Sequence, residues 1–115
     1  MIGGLGLGLN ANVNVNIQLE AEAKAATSVV SDLVVEHSSD INAHLGLSGS
    51  DYEVISFKNQ VDNDSNYFIK IKSGGEFYHV NILKASANVS GKAGFQGGCG
   101  GQTLTSEITA DVKTC

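Results

Sequence analysis

From residue 5 to residue 19 the chain reads LGLGLNANVNVNIQL, with apolar side chains on Leu5, Leu7, Leu9, Ala11, Val13, Val15, Ile17 and Leu19. Only glycine, asparagine and glutamine stand between them. Side chains of an extended strand point to opposite faces in turn, so this stretch has one apolar and one carboxamide face. On a helix the same positions would surround the cylinder and leave no apolar stripe. As one strand it would run roughly 50 Å at its rise per residue, against the ~17–20 Å of an ordinary strand. It carries no charge and no proline to discourage pairing with another chain. Half of this length fits a sheet of its own domain and the whole does not. These residues are therefore expected to form an assembly strand that reaches beyond its own subunit.

A chain of 115 residues makes one domain with a single modest core. The net charge of −5 and the lack of any basic cluster exclude a nucleic-acid-binding surface. No apolar run approaches the ~18–20 residues of a membrane span, so no membrane contact is expected. Met1 is followed by no basic region and no continuous apolar stretch of the secretory kind, which fits a cytoplasmic protein or a chain that begins after processing. Two features favour an extracellular location instead. Cys99 and Cys115 form an even pair that reads as a disulfide within or between subunits, free thiols being the alternative. Asn63-Asp64-Ser65 and Asn88-Val89-Ser90 are N-glycosylation sequons, making Asn63 and Asn88 candidate glycan sites.

Beyond residue 19 the period changes. Thr27 or Ser28 can cap a helix, and Val30, Leu33, Val34, His37, Ile41 and Leu45 then recur at helical spacing. Gly46 and the Ser48-Gly49-Ser50 run end it. Strands are expected at 52–61, 67–72 and 77–84, joined by turn-rich segments at 62–66 and 73–76. Residues 85–101 read as a loop, with GGCGG its most flexible part, and 103–112 as a last strand rich in β-branched residues. One helix covering one face of an antiparallel sheet is an α+β layout. The organisation expected is an arm at 1–20, a domain at 21–106 and a C-terminal strand extension at 107–115.

Other chemistry is sparse. Cys99 lies among glycines with no base partner in sequence, which disfavours a nucleophile. His37, Asp40 and His44 share a helical face at metal-ligand spacing, but a solvated or half-buried face accounts for them better. His79 is expected at the surface. The glycine-rich runs lack the strand–turn–helix setting and the lysine of a phosphate loop. The reading is a protein that is not an enzyme and uses no metal or cofactor.

Several segments together resemble one family. EAKAAT at 22–27, SFKNQ at 56–60, NYFIK at 66–70 and the strand at 77–84 are similar to the stefins, or type 1 cystatins, with fainter matches at Gly94-Phe95-Gln96 and Leu104-Thr105. The resemblance spans 22–106 and implies a helix wrapped by an antiparallel sheet. It also implies reversible inhibition of papain-like cysteine proteases through a three-part wedge: a glycine in the N-terminal trunk, a QxVxG first hairpin loop, and a Leu-Pro second loop. Small residues let the main chain enter a protease cleft while apolar side chains fill its pockets. On this sequence the parts fall at Gly4 beside Gly3, at Gln60 and Val61, and at Ser86-Ala87. Asp62 stands at the family's second valine and Asp64 at its glycine, and the two sequons fall in the same two loops.

Two functions follow, beside a third reading as a monomeric binding module whose long strand folds back on its own sheet. The first is a structural protein that polymerises with copies of itself into filaments by donating residues 5–19 to a neighbour's sheet. The second is the family's inhibition of a papain-like cysteine protease through Gly4, Gln60 and Val61.

Overall fold

Thr27 opens the helical part of the chain: its extended backbone and its Oγ1, which accepts the Val30 N–H at 3.4 Å, start α1 at Ser28–Glu36. The computed structural model describes residues 17–48, 52–84 and 93–112. Where the sequence suggests one helix there are two, because His37 leaves helical geometry (φ −107°, ψ 19°) and α2 begins anew at Ser38–Leu45. The break falls between Val34-Val35 and Ser38-Ser39, poor helix formers that give the continuous ladder little support. The apolar stripe survives the break, for Val30, Leu33, Val34 and Ile41 are all buried. Gly46, in the left-handed region at φ 71°, closes α2.

Among the described residues the sheet is five-stranded and antiparallel, β1 (Lys24–Ala25), β2 (Glu53–Gln60), β3 (Asn63–Ser73), β4 (Glu76–Leu83) and β5 (Gly94–Gln102) lying in sequence order. Phe57, Ile69, Ile71, Val80 and Ile82 point from it toward the helices and form the main core with the helical stripe. This is the α+β arrangement expected.

Several segments depart from their sequence reading. Residues 62–66 are not all loop: β3 already begins at Asn63, because the Asn59 Nδ2 donates to the Asp64 and Asn66 carbonyls and ties that segment to β2. The glycine-rich run is no flexible loop but the edge strand β5. Packing overrides propensity there, since a Cβ at Gly98 would stand 2.9 Å from Val80 Cγ1 and 3.0 Å from the His79 carbonyl.

Residues 103–112 form no strand. The buried Lys70 Nζ donates to the carbonyls of Thr103 (2.5 Å), Leu104 (2.8 Å) and Ser106 (2.7 Å), and carbonyls converging on one ammonium cannot alternate as a strand requires. The C-terminal extension is thus irregular through residue 112 and crosses the sheet face away from the helices. Ile108 and Val112 bury against Phe68 there, with Ile17, Leu19 and Ala110 packed around them. His79, expected at the surface, is opposite Lys70 in the register on this same covered face and only 2% exposed.

Of the alternating stretch, residues 5–16 lie outside the described residues. Ile17–Leu19 run along the edge of β2 in their own domain: Leu19 bridges Gln60, and the Glu20 N–H donates to the Asn59 carbonyl at 3.0 Å. The chain then bends at Ala21 and Glu22 before it enters β1.

Candidate functional site

One end of the sheet gathers three chain segments. β2 turns into β3 through Val61 and Asp62. The trunk arrives beside that turn, where the Val61 N–H donates to the Gln18 carbonyl at 2.8 Å. At the same end β4 finishes at Leu83, paired with Asn66 on one side and Gly94 on the other, and the Lys84 N–H donates to the Ser65 carbonyl at 2.8 Å. The connection from β4 to β5 therefore begins and ends here, although residues 85–92 lie outside the described residues.

The hairpin tip is exposed outside and pinned behind. Val61 keeps 61% of its surface, one of few large apolar side chains so presented among the described residues. Asp62 and Asp64 are exposed beside it. Gln60 Nε2 donates to Asp62 Oδ1 (2.9 Å), Asn66 Nδ2 to Gln60 Oε1 (2.9 Å), and Asn81 Nδ2 to Asn66 Oδ1 (2.7 Å). A row of side-chain amides thus joins the tip to β4, and each amide in it has partners, which rigidifies rather than weakens the sheet. Asn66 enters the sequence reading as the start of NYFIK, and neither it nor Asn81 is singled out there as a site residue. Their signal is strand register, which brings them near Gln60 and which no linear motif displays.

The trunk is held electrostatically too. Glu20 Oε1 accepts the Asn59 N–H at 2.9 Å, and Lys24 Nζ stands 3.1 Å from the same oxygen and 2.9 Å from Asn59 Oδ1. The Asn59 N–H foremost, and Lys24 after it, hold the Glu20 carboxyl below the usual glutamate value. The Lys24 ammonium also lies 4.9 Å from the Phe57 ring centre.

The other sequence candidates are dispersed. Gly4, Ser86, Ala87 and Asn88 lie outside the described residues, so only Gln60 and Val61 of the expected protease-binding set can be placed. Asn63 is half-buried, its Oδ1 accepting the Ser65 N–H at 3.1 Å. Cys99 is disulfide-bonded, and Cys115 lies outside the described residues. His37, Asp40 and His44 border a shallow groove beside Phe95. His44 Nε2 bonds the Gly98 carbonyl (3.0 Å) and His37 Nδ1 the Leu33 carbonyl (2.9 Å). Among the described residues no group of His, Cys, Asp and Glu could hold a metal ion, and no helix is long and apolar enough to cross a membrane.

No family model matches the sequence. Curated proteins do. The chain is 32% identical to Cystatin-A2 of Dictyostelium discoideum over 73 residues, covering 64% of this chain and 77% of that protein. It is 30% identical over 60 residues to Cystatin-A3 of the same organism, covering 52% of this chain and 64% of that protein. Helices packed on a five-stranded antiparallel sheet, a first hairpin beginning Gln60-Val61 and this likeness agree, and the chain belongs to the cystatin family, of stefin type.

Proposed function

We propose that this protein is a reversible inhibitor of papain-like cysteine proteases. The observation that carries the reading is the hairpin tip: Val61 exposed at the end of a rigid sheet, tied to the trunk through Gln18 and backed by the Gln60–Asn66–Asn81 amides. Such a tip can enter a cleft without ordering first, so little conformational entropy opposes docking. Burying the Val61 side chain would contribute about 1–2 kcal/mol. Asp62 and Asp64 oppose that gain, because carboxylates lose hydration in an enclosed cleft. The reading is therefore of an inhibitor weaker or more selective than one with an apolar, glycine-bearing loop.

Polymerisation through residues 5–19 finds no such support. Ile17 and Leu19, the apolar part of that stretch among the described residues, are already engaged with their own domain, and the relatives are cystatins. An extracellular setting is likewise unsupported.

Steady-state inhibition of a papain-like protease tests the proposal. The expected result is loss of activity that reverses on dilution, with half-inhibition at about 1 µM or below, roughly 8 kcal/mol of binding. Full protease activity well above that concentration would refute it.

A further inference from the structure

Residues 107–112 lie outside the wedge, yet they touch the part of it least able to hold itself. β1 is two residues long, so the trunk has little ladder of its own. Residues 17–20 are fixed to β2 by the Val61–Gln18 and Glu20–Asn59 backbone bonds and by the Glu20 carboxylate. Their apolar side chains, Ile17 and Leu19, pack against the cluster that Phe68 forms with Ile108 and Val112. Ile17 and Leu19 flank Gln18, whose carbonyl receives the Val61 N–H. An edge hydrogen bond open to water on both sides exchanges freely; one roofed by apolar side chains does not.

The covering segment is itself anchored. Lys70, 2% exposed, gathers its carbonyls at residues 103, 104 and 106. Ser106 and Thr103 exchange hydrogen bonds that close the turn, Thr103 N to Ser106 Oγ and Ser106 N to Thr103 Oγ1, both at 3.0 Å. Lys58 Nζ meets Glu107 at 3.3 Å, a weak tie because Glu107 is mostly exposed.

We infer that residues 103–112 are a brace for the N-terminal trunk, with Ile108 and Val112 as positioning residues that hold Ile17 and Leu19 on the edge of β2. The brace fixes the position and direction of residues 17–19 beside the Val61 tip. Its consequence for binding rests on the inhibitor reading above; its geometry does not.

The experiment is hydrogen exchange on the full chain, paired with inhibitor dissociation kinetics, for I108N/V112N and for the milder V112A. The Glu20 and Val61 amides are expected to lose about tenfold or more of their protection, while Ile69 and Val80 in the central strands keep theirs. The inhibited protease should be released about tenfold faster by I108N/V112N, with association little changed. The conservative pair I108V/V112I should restore both. Unchanged protection at Glu20 and Val61 would overturn the brace. So would an equal loss at Ile69 and Val80 in both I108N/V112N and V112A, which would make the cluster part of the global core. Should the wild-type chain fail to inhibit while the local loss of protection occurs, the brace stands and the inhibitor reading falls.

Discussion

The Val61 N–H donates to the Gln18 carbonyl at 2.8 Å, so the trunk and the first hairpin share one edge of the sheet. Loops presented by a rigid scaffold bind with little reorganisation. Here the rigidity has two sources on opposite sides of the tip. One is the amide row from Gln60 through Asn66 to Asn81; the other is the apolar roof over Ile17 and Leu19.

Asp62 and Asp64 are the chain's departures from the family's loop, and restoring an apolar residue or a glycine there should strengthen binding. Asp62→Val and Asp64→Gly are each expected to tighten inhibition by about tenfold, roughly 1.4 kcal/mol. Inhibition constants measured at low and high salt check the cause, since removing a carboxylate should also reduce the salt dependence.

Lys70 holds the C-terminal segment at its base. Lys70→Met keeps the side chain's bulk but leaves the Thr103, Leu104 and Ser106 carbonyls without their donor. The expected loss is about 3 kcal/mol of stability, the scale of charge-assisted bonds removed from buried acceptors. Urea denaturation reads it directly.

His79 makes stability depend on pH. It is buried, its Nε2 has no hydrogen-bond partner among the described residues, and burial first, then the Lys70 charge, pushes its pKa down from 6.5 to about 4. The folded state therefore binds this proton more weakly than the unfolded chain does. Stability is full above pH 6.5 and falls as the pH drops toward 4, by about 3 kcal/mol in all if no other group intervenes. Denaturant midpoints for wild type and His79→Phe between pH 7 and pH 4 should diverge, the variant showing the shallower decline.

Cys99 is disulfide-bonded, and we propose Cys115, the sequence's other cysteine, as its partner. Closing a loop of that length stabilises by about 3 kcal/mol on the chain-entropy estimate. Cys115→Ser should therefore lower the melting temperature. It should also yield one reactive thiol per unreduced, denatured chain where the wild type yields none.

Much of the fold was legible because its signals are local. The apolar stripe of the helices, the alternation in β2 to β4 and the Gly74-Gly75 turn, at φ 61° and 84°, all lie within short windows. β5 was hidden because strand propensity penalises glycine, whereas the close approach to Val80 and His79 at Gly98 requires it. The irregular path of residues 103–112 was hidden for a different reason. It is dictated by Lys70, more than thirty residues away in sequence. The site was half legible: Gln60 and Val61 came from the family motif, while Asn66, Asn81, Ile108 and Val112 act through tertiary register that no motif carries.

The central claim is that the Val61 tip binds the active-site cleft of a papain-like protease, and titration calorimetry against such an enzyme with its thiol covalently blocked tests it most directly. Blocking the thiol removes turnover and leaves the cleft. The wild-type chain should bind one-to-one, and Val61→Asp should bind at least about tenfold more weakly while unfolding within about 0.5 kcal/mol of wild type, since Val61 is 61% exposed. Equal binding by the two proteins, or none by the wild type, would contradict the account.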